Sequence, residues 1–149
     1  MAKRLLLEFH SASPTYTFVG LSTQLKDYRL SFMLNQKLGF HLARIDDLSV
    51  FSLYTFRDEE RFDTYYVLSN HSQDQWLLPA LKQTDFFLII EGPFKKQQKE
   101  ELLRSIRAIP NILLAAEIDI SAVRLVENLL SDLELHMIKI HKSTHFKTV

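Results

Sequence analysis

The clearest pattern of apolar and polar positions lies in residues 85–120. It begins with an apolar run that carries an acidic residue at each end and stops at Gly92-Pro93. Apolar residues with helical spacing follow, and Pro110-Asn111 ends that stretch. The remaining residues alternate between two faces, as in a half-buried strand. The pattern predicts a strand over 85–91, a helix over 94–109 and a strand over 112–120.

The faces of these elements follow from their periods. In the helix, one stripe faces a sheet and consists of Leu102, Ile106 and Ile109. In the last strand, one face holds Ile112, Leu114, Ala116, Ile118 and Ile120, and the other holds Leu113, Ala115, Glu117 and Asp119. We expect the face with Leu113 and Ala115 to be open and only modestly polar.

The chain before this region predicts further elements of both kinds. They are a short strand over Arg4–His10, a strand over Tyr16–Leu21, a helix over Gln24–Leu38, a bulged strand over Phe40–Leu48, an antiparallel hairpin over residues 50–68, a polar loop over Ser69–Gln75 and an apolar linker over Trp76–Thr84. Ser22 or Thr23 caps the helix, and Gly39 ends it. Leu25, Tyr28, Phe32 and Leu38 are predicted to lie on one broad apolar face, and Leu30, Met33 and Leu34 widen the apolar surface, so the helix can contact more than one partner.

The end of the chain is predicted less specifically. Ser121 can cap a short helix that ends at Leu130. The tail from Ser131 to Val149 can add an edge strand, dock as a helix or pair with another subunit. Two strand–helix–strand halves on one sheet predict an α+β sandwich of ferredoxin-like type, with an antiparallel sheet and helices mainly on one face. A sheet face left open in this way is commonly covered by a second copy of the chain.

Composition narrows the class of protein. At 149 residues the chain is expected to be one domain with an extension from about residue 131. The absence of cysteine excludes a disulfide scaffold, a thiolate zinc site and a cysteine nucleophile. Lys and Arg equal Asp and Glu at 18 each, so net charge gives no reason to bind DNA or an anionic membrane. The apolar run Leu5-Leu6-Leu7 is too short for a signal peptide, and we expect a cytoplasmic protein.

Candidate chemistry centres on a few carboxylates. Asp85 precedes a buried strand and is expected to cap a backbone amide or to pair with Arg29, with a general base as the alternative. Asp27 and Arg29 lie two residues apart on a helix and cannot face each other. Glu117 and Asp119 are predicted on one strand face about 7 Å apart, a spacing that suits acid–base work or a divalent cation. Alternating acidic residues are also ordinary on a solvated sheet face.

Other residue groups suggest weaker alternatives. Six histidines are present, at positions 10, 41, 71, 136, 141 and 145, and their spacing does not converge on a metal site. The predicted hairpin is rich in aromatic residues, namely Phe51, Tyr54, Phe56, Phe62, Tyr65 and Tyr66. Beside Arg57 and Arg61 these could stack single-stranded RNA bases, but aromatic residues favour strands anyway, and the acidic turn over residues 58–60 disfavours RNA. We expect no cofactor and no metal.

Three segments together resemble the IPExxxVDY family of small Bacteroidetes proteins. They are Asp27-Tyr28-Arg29-Leu30 with Asn35-Gln36, the stretch from Leu78 to Phe86, and Ile109-Pro110 with Ala116-Glu117-Ile118-Asp119 and Glu127-Asn128-Leu129-Leu130. The resemblance covers about residues 16–130. Of the family signature, Pro79 and Asp85 are present, while Leu78, Ala80, Thr84 and Phe86 replace its Ile, Glu, Val and Tyr. The resemblance implies no known reaction, so these motif residues are interpreted as structural.

The sequence therefore predicts a non-enzymatic binding or scaffolding module that self-associates through its sheet or tail, as a homodimer, with an unidentified protein or a small metabolite as a possible partner. One alternative is a regulatory domain that binds a small metabolite at a subunit interface. The segment around Pro110 is similar in outline to amino-acid-binding domains of the ACT type, although only Gly20 is available for the glycine-bearing loop of such domains. A single-stranded RNA-binding module is the remaining alternative.

Overall fold

The computed structural model of the protein describes residues 15–148. The predicted strand over Arg4–His10 lies outside these residues. Within the described range the chain is an α+β protein with these elements in order: β1 (Tyr16–Thr23), α1 (Asp27–Leu38), β2 (Ala43–Leu48), β3 (Phe51–Asp58), β4 (Asp63–Ser69), β5 (His71–Ser72), β6 (Gln75–Trp76), a 3-10 helix (Pro79–Leu81), β7 (Phe86–Glu91), α2 (Lys96–Arg107), β8 (Ile112–Glu117), a 3-10 helix (Ile120–Ala122) and α3 (Arg124–Thr148).

Six of the strands form one sheet in the order β2-β3-β4-β7-β1-β8. Every neighbouring pair is antiparallel. The predicted hairpin over residues 50–68 is confirmed as β3 and β4, and the predicted bulge lies in β2, where the register shifts between Ile45 and Leu48. The segment predicted as a polar loop over 69–75 contains most of a second, two-stranded sheet made by β5 and β6.

Helices α1 and α2 pack on one face of the six-stranded sheet. Leu30 and Leu34 of α1 and Ile106 of α2 are fully buried there. Residues of this face alternate with those of the other along each strand, as Val19 and Phe18 do in β1. Arg107, at the end of α2, donates two hydrogen bonds to the Ala115 carbonyl oxygen at 3.0 and 2.7 Å, which ties the helix to β8.

Helix α3 covers the other face of the sheet, which the sequence was expected to leave open for a second copy of the chain. Its buried residues are Val126, Leu129, Leu130 and Leu133, and they pack with Phe18, Phe87 and Ile89. The predicted end of this helix at Leu130 is wrong. The apolar stripe continues with helical spacing to Met137, and the sequence from Arg124 to Thr148 contains neither Gly nor Pro, so nothing stops the helix.

The predicted apolar face of α1 is confirmed only in part, since Leu25 and Leu38 pack against the core. Tyr28 and Phe32 are 59% and 58% exposed, whereas Leu30 and Leu34 face the sheet. The sequence offers two apolar stripes about 200° apart on this helix, and only contact with the sheet selects one of them. The helix begins after Lys26 rather than after Ser22 or Thr23. Gly39 ends it as predicted, with a left-handed φ of 71°.

Strand β8 is shorter than predicted and ends at Glu117 instead of Ile120. Ala115, assigned above to an open face, is fully buried beneath α1 and α2. Leu114, on the opposite predicted face, is 57% exposed because β8 lies at the edge of the sheet. Alternation thus identified two faces but not which of them is covered. Neither α3 nor any other described helix combines the length and hydropathy that a membrane crossing needs.

Candidate functional site

A cavity of about 730 Å³ lies between α3 and the part of the sheet where β3 leads into β4. We call it the α3 cavity. Its floor is buried and includes Thr64 and Tyr66, whereas His41, Glu59 and His141 are exposed at its mouth. Its other lining residues are Thr55, Phe56, Arg57, Glu91, Glu134, Met137 and Ile138. The volume falls within the range of small-molecule sites, roughly 300–1,000 Å³.

A row of four polar residues crosses four adjacent strands at this end of the sheet. Tyr16 lies opposite Glu91, Glu91 opposite Thr64, and Thr64 opposite Arg57. The Tyr16 hydroxyl donates to Glu91 Oε1 at 3.1 Å, and Arg57 Nη1 donates to Thr64 Oγ1 at 2.9 Å. The row therefore places Glu91 and Arg57 on strands whose backbones are about 10 Å apart, two strand spacings, and the Arg57 guanidinium reaches as far as Thr64 between them.

Tyr66 contributes a polar group to the floor of the cavity. Its side chain is 5% exposed, and its hydroxyl has no hydrogen-bond partner among the described residues. Burial raises the pKa of Tyr66 above its ordinary value, and the nearby charge of Glu91 raises it further. The phenol thus stays protonated at physiological pH and is free to donate to, or accept from, a molecule in the cavity.

Charges around the cavity are unbalanced. Among the described lining residues, Arg57 is the one guanidinium, and Glu59, Glu91 and Glu134 are the carboxylates. Among the described residues none of these four side chains forms an ion pair. With neutral histidines the lining therefore carries a formal charge of −2.

The sequence analysis named Arg57 and Tyr66 only as parts of an RNA surface, and it gave Glu91 and Glu134 no functional role. Glu91 ends a buried strand and Glu134 lies on the predicted tail, 43 positions further on. The antiparallel register and the docking of α3 bring them together. The available signal in the sequence was a carboxylate, Glu91, at the end of an apolar strand. That signal does not show which residues lie near the carboxylate in the fold.

Asp85 accepts a backbone amide hydrogen bond, one of the two contacts that the sequence predicted for it. Its Oδ2 receives the Thr23 N–H at 2.8 Å, just before α1. Thr23 is itself held by a hydrogen bond from its hydroxyl to the Asn111 carbonyl oxygen at 2.6 Å, and it accepts the Leu25 N–H. Arg29 is exposed and forms no ion pair with Asp85 among the described residues.

We expect Asp85→Ala to lower the free energy of unfolding by about 1–2 kcal/mol, because the Thr23 amide loses its acceptor. Asp85→Asn keeps an oxygen at this position and should cost less. Urea-induced unfolding measures both, with Asp132→Ala on the exposed side of α3 as the control. Equal stability of Asp85→Ala and the unchanged protein would contradict a structural role.

Asp27 serves the packing of α1 against the β2–β3 hairpin. It accepts a hydrogen bond from the Tyr54 hydroxyl at 3.1 Å and lies 3.7 Å from Arg44 Nη1. Burial and the charge of Asp27 raise the pKa of Tyr54. Asp27 and Phe86 also line a more polar cleft of about 420 Å³ beside β5.

Pro79, the other signature residue, opens the 3-10 helix and is exposed. The segment around it is organised by Asn70, which sequence analysis missed. Asn70 is fully buried, and its side-chain amide donates to the carbonyl oxygens of Leu81 and Thr84 at 2.9 and 2.8 Å. Its oxygen accepts the Leu78 N–H at 2.8 Å. One side chain therefore fixes the whole approach to β7.

Glu117 and Asp119 do not form the predicted carboxylate pair. Glu117 pairs with Lys99 at 2.9 Å, whereas Asp119 lies beyond the strand and caps the following 3-10 helix through the Ser121 N–H and hydroxyl at 3.0 and 2.7 Å. These bonds lower the pKa of Asp119. Pro110 is exposed in the turn before β8 and precedes Asn111, which adopts a left-handed φ of 72°.

The histidines are dispersed over the described part of the molecule. His71 stacks on Trp76 with ring centroids 4.4 Å apart, and His136 Nε2 lies 2.9 Å from the Asp46 carbonyl oxygen. His10 and the side chain of His145 lie outside what the structure describes. Within residues 15–148, no group of three or more His, Asp and Glu side chains is placed to hold a metal ion.

Most of the hairpin aromatics are buried in the two core clusters. Phe51, Tyr54, Tyr65 and Tyr66 are 3–7% exposed. Of the six, only Phe62 is strongly exposed, at 69%, and it lies alone in the turn between β3 and β4. The β3–β4 hairpin thus presents no row of free aromatic faces on which successive bases could stack.

No protein-family model matches this chain, and no curated protein matches it. The resemblance to the IPExxxVDY family stays a prediction.

Proposed function

We propose that this protein is a non-enzymatic binding module that takes a small organic molecule into the α3 cavity. The observation that carries the proposal is Tyr66, a buried residue that lines a cavity of ligand size and whose hydroxyl has no partner among the described residues. A hydroxyl at this place offers a ligand both a donor and an acceptor, which supports contact and selectivity.

The cavity also has the mixed lining that small-molecule sites share. Apolar surface comes from Met137 and Ile138, and polar groups come from Glu91, Thr64 and Arg57 of the row. A few placed polar groups in an apolar cleft fix the orientation of a ligand. By contrast, the three carboxylates first considered for catalysis engage structural partners: Asp85 binds Thr23, Glu117 binds Lys99, and Asp119 binds Ser121.

Self-association is a second candidate function. β8 is an edge strand, and Leu113 and Leu114 are 73% and 57% exposed on it. Open edges with apolar side chains pair readily with another strand, which supports a homodimer through β8. Such a homodimer would use the edge of the sheet rather than the face that α3 covers.

For the architecture, we propose a ferredoxin-like core made of β1, α1, β4, β7, α2 and β8. The order β8-β1-β7-β4 and two helices on one face support it. In this view β2 and β3 extend the sheet at one side, and α3 is an added layer. Because α3 forms one wall of the cavity, the addition would be what creates the site.

A thermal-shift screen against amines, amino acids, nucleosides and carboxylic acids tests the binding function. We expect at least one compound to raise Tm by about 5–10 °C when present at about 100 times its Kd. Ile138→Trp, at a cavity residue 45% exposed, should fill the cavity and abolish the shift. Leu135→Trp, 57% exposed on the same helix and outside the cavity lining, is the matched control and should keep it.

Native mass spectrometry of the same protein adds a second readout. A retained mass of a few hundred daltons that Ile138→Trp loses supports the proposal, and the assembly mass reports self-association. The binding function is wrong if no compound shifts Tm and the spectra show only the bare chain. It is also wrong if Ile138→Trp binds a hit as well as the unchanged protein does.

A further inference from the structure

The α3 cavity carries a charge pattern that selects among small molecules. Glu91 is fixed on the sheet by the Tyr16 hydroxyl, and Glu134 reaches the same space from α3. Tyr66, Glu91, Glu134 and Arg57 all line this space, and burial raises the pKa of Tyr66, Glu91 and Glu134 raise it further, and Arg57 lowers it. Neither carboxylate has a cationic partner among the described residues.

We propose that the α3 cavity selects organic ammonium ligands, with the charged nitrogen held between Glu91 and Glu134 and hydrogen-bonded to the Tyr66 hydroxyl. This inference rests on the proposed binding function and names the chemical class of its ligand. The apolar part of the ligand lies against Met137 and Ile138 of α3.

Hydrogen-bond capacity agrees with this assignment. A primary ammonium has three N–H donors and no acceptor. The Tyr66 hydroxyl and the carboxylates of Glu91 and Glu134 offer three acceptors, and Tyr66 can meanwhile turn its own proton toward a carboxylate. An anionic ligand would instead meet a lining with a formal charge of −2 and would have Arg57 as its one guanidinium partner.

The position of Arg57 explains why an anion is disfavoured although a guanidinium is present. Its Nη1 already donates to Thr64 Oγ1, and its side chain is exposed. Thr64 lies directly opposite Glu91, so the guanidinium is close to the row, but it forms no ion pair with Glu91 among the described residues and leaves that carboxylate available. A ligand that carries a carboxylate in addition to its ammonium group could still reach Arg57, so amino acids belong to the permitted class.

Calorimetric titration of the full chain with matched probes tests the assignment. The probes are 2-phenylethylammonium, 2-phenylethanol and 3-phenylpropanoate, with hexylammonium and hexanol as a second pair of different shape. We expect an ammonium probe to bind at least about tenfold more tightly than the alcohol of the same shape, since charge-assisted hydrogen bonds are the stronger ones. The carboxylate should bind more weakly than either.

Two variants locate the charged nitrogen. Glu91→Gln and Glu134→Gln should each weaken ammonium binding about tenfold and alcohol binding much less, because they remove charge with little change of shape. Glu127→Gln on α3, outside the cavity lining, is the control. Urea unfolding verifies that each variant is folded.

The possible failures are distinguishable. If alcohol and ammonium bind equally, or if both glutamine variants keep the preference, the ammonium assignment is wrong while the cavity remains a ligand site. If neither ammonium probe binds although the metabolite screen yields a ligand that Ile138→Trp excludes, the assignment is again wrong and the binding function stands. If that screen also yields nothing, both fail.

Discussion

Replacing Asn70 by Asp should lower the free energy of unfolding by about 3–5 kcal/mol, because it buries an unpaired charge and removes two donors. The Asn70 amide nitrogen now donates to the carbonyl oxygens of Leu81 and Thr84, and the residue is fully buried. A carboxylate would place negative charge against both oxygens. Urea-induced unfolding at pH 7 measures the loss.

The pH dependence of this variant identifies the cause. Burial raises the pKa of the introduced carboxyl above its unfolded value, so the penalty is complete at neutral pH and shrinks as the pH falls toward about 4. Asn128→Asp on the exposed side of α3 is the matched control and should change stability little. A loss no larger than that of the control would show that Asn70 does not organise the approach to β7.

Asn70 also shows where inference from sequence stops. Its position in a polar stretch between two strands predicted a solvated loop, and single asparagines in loops are usually exposed. The three bonds of its side chain reach residues 8 to 14 positions further on. Only the folded path of residues 71–84 brings those groups around it.

Elements with strong local signals were predicted well. The apolar run before Gly92-Pro93, the helix stopped near Pro110 and the β3–β4 hairpin all carry their boundaries in neighbouring residues. Gly39 ended α1 as expected because a left-handed residue there favours glycine. In each of these cases a few adjacent residues determine where the element ends.

Features that depend on contacts between distant residues were left open or predicted only in part. Two apolar stripes compete on α1, and the choice of Leu30 over Tyr28 depends on the sheet beneath the helix. The tail beyond Leu130 is a helix that needs Phe18 and Phe87 to bury it. The α3 cavity forms because α3 docks on the sheet, so no local motif in the sequence predicts it.

Gly92 is the second position where a small change should have a large effect. Its φ of +145° lies in a region that residues with a side chain rarely adopt, and a Cβ there would overlap Asp63 Oδ1. We expect Gly92→Ala to lower the free energy of unfolding by about 3 kcal/mol or more, from backbone strain and from overlap. Urea-induced unfolding measures the change.

Two further variants separate these causes. Gly39 also has a positive φ, but no atom lies within 4 Å of the position of its Cβ, so Gly39→Ala isolates strain and should cost about 1 kcal/mol. Adding Asp63→Ala to Gly92→Ala removes the overlap and should recover part of the loss. If the double variant is no more stable than Gly92→Ala, the overlap is not what destabilises the protein.

Removing the Asp63 side chain should restore stability for a second reason, which concerns its charge. It is 2% exposed, and its Oδ1 has no hydrogen-bond partner among the described residues. Burial raises the pKa of Asp63, and the charge of Asp58 raises it further, so the folded protein binds this proton more tightly than the unfolded chain does. The free energy of unfolding therefore falls as the pH rises from the pKa of Asp63 in the unfolded chain through its pKa in the folded protein.

Asp63→Ala removes this pH-dependent loss of stability. The stability that it restores to Gly92→Ala should therefore be larger at pH 7 than at pH 4. A gain independent of pH would mean that Asp63 acts on Gly92 through its size alone.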